Sequence, residues 1–118
     1  MSLPNQVAVL ERLAEVSKLL DAATDEIAVL DEAAVRAKQS FEVAFSRAFL
    51  RSEGAMDMRK HLAVVATGDE LLVVELASQQ VRACRERIRT LGLQLEVGRS
   101  LSAALRSGFN SEGVGQWT

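Results

Sequence analysis

The sequence predicts an all-α protein, a long antiparallel helical hairpin with coiled-coil packing, assembled as an oligomer. Three observations predict it. Between Asn5 and Ser52 there is no glycine and no proline, and Ala, Leu, Glu, Arg and Val dominate; most of these favour helix. Apolar residues repeat by alternate steps of three and four, the spacing of a helical seam rather than of a strand. One short Gly-containing break divides two such stretches.

The first helix is expected over about residues 5–52. Its seam runs through Val9, Leu13, Val16, Leu20, Ala23, Ile27, Leu30, Ala34, Ala37, Phe41, Ala44 and Ala48. Pro4 precedes it, where a missing N–H costs little. The turn falls at about 53–55, where Gly54 suits the left-handed backbone past a helix end. The second helix is expected over about 56–106. Its seam passes through Val74, Ala77, Val81, Cys84, Ile88, Leu91 and Leu95, with Gly98 and Leu105 in register. Gly68 and Gly92 to Gly98 mark places for a kink. Thr67-Gly68-Asp69-Glu70 also has the form of a capping box, although continuity, or a kink, is favoured over a full turn. Residues 1–106 form one domain in this reading, and the Gly/Ser-rich residues 107–118 form a flexible tail.

A two-helix hairpin buries only one stripe per helix. Val29, Phe45, Phe49, Leu62, Val65, Leu72, Val73 and Leu76 lie off the seams and still need cover. A second copy of the chain supplies it most economically. A monomer folded back at Gly68 or Gly92 into a three- or four-helix bundle is the alternative.

Composition narrows the function. Fourteen Lys+Arg face sixteen Asp+Glu, a formal charge of -2, which excludes a uniformly basic binder. One cysteine and one histidine exclude a disulfide framework and a conventional zinc site. No apolar run is long enough to span a membrane. Met1-Ser2-Leu3-Pro4-Asn5 lacks the basic and apolar regions of a signal peptide, so a cytoplasmic location is expected.

The charges are segregated. Residues 1–75 hold thirteen acidic and eight basic side chains; residues 76–118 hold three and six, and all six are arginines. Arg82 and Arg89 share one heptad position, and Arg85, Arg99 and Arg106 share another on the same outer side. Such a row suits phosphate oxygens without reading sequence. The competing reading is a solvated face, or one bridged to Asp21, Asp25, Asp31 and Glu32. Phe109 and Trp117 are candidate anchors for a protein partner.

Other groups read as structural. Asp57 and His61 form an i, i+4 pair with no third ligand nearby. Cys84 belongs to the seam. Glu11, Glu15, Asp21 and Asp25 lack matching carboxylates on the second helix, which helical nucleotide pyrophosphohydrolases would need. No nucleophile, base and acid come together, and no catalytic residue, metal or cofactor is expected.

The stretch from Arg59-Lys60-His61-Leu62-Ala63-Val64-Val65-Ala66-Thr67-Gly68-Asp69-Glu70-Leu71-Leu72 to Leu95-Glu96-Val97-Gly98-Arg99-Ser100-Leu101-Ser102-Ala103-Ala104-Leu105-Arg106 resembles a segment of small helical bacteriophage proteins. Their genes often lie among replication and recombination genes. The layout is also similar, more loosely, to phage recombination mediators of the UvsY type, with Ala66, Asp69, Leu72, Cys84 and Ile88 in comparable order. The likeness covers about Met56 to Arg106. The chain departs from the mediators in its few lysines and aromatics and its negative charge. The resemblance implies a ring- or barrel-like helical oligomer that binds single-stranded DNA, remodels the single-strand-binding protein and helps a recombinase load. Arg82, Arg85, Arg89, Arg99 and Arg106 would then meet phosphate. The alternative is an adaptor, or an inhibitor of a host factor, that does not bind nucleic acid.

Overall fold

The computed structural model describes residues 5–115, with side chains to Gly108. The fold is all-α. Helix α1 spans Gln6–Arg51, α2 spans Met56–Ala66 and α3 spans Gly68–Gly115, with no strand among the described residues. Asn5 opens α1: its Oδ1 accepts a hydrogen bond from the Ala8 N–H at 2.7 Å, which satisfies one of the free donors of the first turn.

The chain forms two compact units. The terminal unit joins residues up to Thr24 with those from Glu86 onward. Its core is Val16, Ala23 and Leu91, with Leu20, Ile88 and Leu95 packed against them; Val9 and Ser102 are also buried. Early α1 residues meet late α3 residues, so the two helices run antiparallel here. The two helices approach closely at Gly98. A Cβ at Gly98 would stand 3.2 Å from Leu13 Cγ, and Leu13 Cδ2 is nearer still. Space rather than backbone angle therefore favours glycine at this position, since an alanine would force the Leu13 side chain to shift.

The turn unit spans Asp25–Arg85. Ala63, Val81 and Cys84 are its buried apolar residues. The seam predicted on α1, from Ile27 through Leu30, Ala34, Ala37, Phe41 and Ala44 to Ala48, is half-buried at every position. Phe41 and Phe45 stack at a tilt, with ring centres 6.0 Å apart. Gly54 has φ +113°, a conformation side chains resist, and lets the backbone turn from α1 to α2. Arg59 fastens that turn. Its Nε and Nη2 donate to the Phe49 carbonyl at 3.3 and 3.1 Å, and its guanidinium lies 4.5 Å from the centre of the Phe49 ring. A cation here satisfies a C-terminal carbonyl of α1 and complements the helix dipole.

Two points bear on the limits of the second helical stretch. First, it is interrupted at Thr67, beside Gly68, one of the places expected for a kink. The Thr67 N–H still donates to the Ala63 carbonyl at 3.1 Å, and the Leu71 N–H donates to the Thr67 carbonyl at 3.0 Å. The break is thus a one-residue kink. No capping box forms, because the Thr67 hydroxyl donates back to the Ala63 carbonyl at 2.7 Å. Second, α3 continues to Gly115, past the expected end at Arg106. No proline follows Arg106, so nothing there removes a helical N–H, and the glycines weaken the helix without ending it. Helix α3 also runs unbroken through Gly92 and Gly98, so the chain does not fold back at Gly92 as a bundle.

Candidate nucleic-acid interface

Each candidate arginine directly follows a seam position of α3. Arg82 follows Val81, Arg85 follows Cys84, Arg89 follows Ile88, Arg99 follows Gly98 and Arg106 follows Leu105. Helical geometry then sets each of them beside its own seam position, and all five are exposed.

In the turn unit, Arg85 Nη2 reaches Asp31 Oδ1 at 3.4 Å. Arg82 and Arg85 border a shallow cleft of about 320 Å³ together with Asp31, Lys38 and Ser78. Among the described residues Arg82 makes no ion pair. The acidic partners considered from sequence are divided: Asp31 takes Arg85, while Glu32 pairs with Arg36 of its own helix at 2.8 Å. An exposed pair of this kind contributes little to stability, so Arg85 is readily exchanged to another anion.

In the terminal unit, Arg89 Nη2 lies 2.9 Å from Glu86 Oε1 one turn earlier. Its hydrogen bond and charge hold the Glu86 carboxyl below its ordinary range and raise Arg89 further. Among the described residues neither Arg99 nor Arg106 makes an ion pair. Near the start of α1, Val9, Leu13, Gly98 and Leu101 border an apolar cleft of about 250 Å³.

The remaining candidates are distributed as follows. Trp117 and the side chain of Phe109 lie outside the described residues. Asp57 and His61 are both exposed. Cys84 is buried at 1% exposure. Among the described residues no three His, Cys, Asp or Glu side chains come together to hold a metal ion, and no helix is long and apolar enough to cross a membrane.

Two features escaped sequence reasoning. Arg59 is engaged at the turn, away from the α3 row. Glu70 Oε2 is enclosed without a hydrogen-bond partner, although the sequence pairs Glu70 with Thr67 in a capping box. Its position, three residues after a threonine, signalled a cap that the kink does not use. No family model, curated protein or solved structure matches the chain.

Proposed function

We propose that the chain is a non-enzymatic accessory protein of phage DNA recombination or replication, acting in the host cytoplasm. It binds single-stranded DNA as a homo-oligomer and assists exchange between a recombinase and the single-strand-binding protein. Arg82, Arg85, Arg89, Arg99 and Arg106 meet the phosphates. One observation carries this reading. Five exposed arginines follow seam positions on one helix, and Arg82, Arg99 and Arg106 make no ion pair among the described residues. Uncommitted guanidinium groups bind phosphate without first breaking an internal bridge. The net charge of -2 does not oppose it, since the acidic excess belongs to residues before α3's arginines, and symmetry multiplies the row.

The adaptor reading has its own support in the exposed apolar side chains of α2 and early α3. Fluorescence anisotropy separates the two, using a labelled oligothymidylate of about 30 nucleotides. About five single-strand phosphate contacts should weaken binding roughly a hundredfold between about 50 and 200 mM salt. Arg99→Ala with Arg106→Ala should lower affinity and flatten the logarithmic salt slope by about 1.4, or about 0.7 per contact. Absence of binding by the folded protein at low salt would overturn the DNA reading in favour of the adaptor.

A further inference from the structure

We propose that a second copy of this chain docks on the outer face of α2 and the first turns of α3, through Met58, Leu62, Val65, Leu72 and Leu76. The proposal rests on the oligomer part of the reading above and on none of its DNA part. These side chains are 57%, 45%, 81%, 55% and 51% exposed. They step by four, three, seven and four, and the skipped position is Asp69. This is a second seam in heptad register, on the side of α2 and α3 away from the buried Ala63, Thr67 and Val81. Val73 widens it. Scattered exposed apolar residues need no explanation, whereas a continuous patch marks an interaction surface.

Symmetry and charge identify the occupant. A two-fold pairing must be self-complementary, and this seam is so in its outer layers; at its centre Val65 of one copy faces Asp69 of the other. Antiparallel about an axis near Thr67, Met58 of one copy lies opposite Leu76 of the other, and Leu62 lies opposite Leu72. The same register sets His61 beside Glu75 at the flanking positions, a nitrogen donor next to a carboxylate, and both are exposed in the single chain.

Sedimentation equilibrium at about 50 µM, without DNA, tests the surface independently of any nucleic-acid role. The wild-type chain should give a multiple of 12.8 kDa. Leu62→Glu with Leu72→Glu should give a single chain with its helical circular dichroism retained. Val29→Glu, at an exposed apolar site on α1, should keep the wild-type mass. A second variant does not depend on the glutamates folding: Met58→Cys with Leu76→Cys should form a covalent dimer on mild oxidation, whereas wild type, with only the buried Cys84, should not. A monomeric wild type overturns the proposal. So does an unchanged mass for a folded Leu62→Glu/Leu72→Glu chain, or dissociation by Val29→Glu. An oligomer whose cysteine pair never bridges copies overturns the antiparallel register.

Discussion

Three helical glycines carry three different residue-scale meanings. Gly92 has open space where a Cβ would stand, Gly98 faces Leu13, and Gly68 begins α3 with nothing near it. Gly92→Ala should therefore stabilise the protein by about 1 kcal/mol, the ordinary helix-propensity gain. That raises the melting temperature by about 3–6 °C. Gly98→Ala gains the same propensity but drives a methyl into Leu13, and overpacking costs about 1–3 kcal/mol. Thermal melts should place Gly98→Ala below wild type and Gly92→Ala above it. In the sequence the three residues looked alike, as interruptions of one seam. Only Gly98 had a distinguishing mark, its register with Val81, Cys84 and Leu91, and that register is what brings it against α1.

At the scale of the element, both seams were legible. Every position named on α1, from Val9 to Ala48, is buried or half-buried, as are Val74 to Leu95 on α3. Period alone determines this, because a residue's place around a helix follows from its number. The arginine row was legible for the same reason, since residues one past a seam position stand at its edge. The ion pairs were not, because they depend on how far two flexible side chains reach. Asp31 catches Arg85 and Glu32 turns to Arg36, though both acids looked equally available. The place of the kink was legible at Gly68, but its form was not. Its cause is a hydroxyl bonding backward to Ala63 rather than forward, a local competition that a threonine alone does not decide. The α1–α2 turn depends on Arg59, which touches both the Phe49 carbonyl and the Phe49 ring. Arg59→Ala should lower stability by about 1 kcal/mol, the usual magnitude for a lost helix cap or charge-assisted bond, and denaturant melts would measure it. Arg59→Lys should recover only part of the loss, since an ammonium lacks the planar fork.

For the whole molecule, the division of the chain between its two units has a kinetic consequence. The turn unit draws on one continuous stretch, Asp25–Arg85, whereas the terminal unit joins the two ends of the sequence. Bringing distant segments together costs more loop-closure entropy than closing a short turn, and non-local contacts form late. The helices should therefore zip from the turn outward. Val81→Ala, in the turn unit, should slow refolding. Leu91→Ala, in the terminal unit, should leave refolding nearly unchanged and speed unfolding instead. Stopped-flow chevrons of the two variants would reveal the order, and equal slowing of refolding by both would refute it. During synthesis, the start of α1 must then wait, unpaired, until the residues from Glu86 onward have left the ribosome.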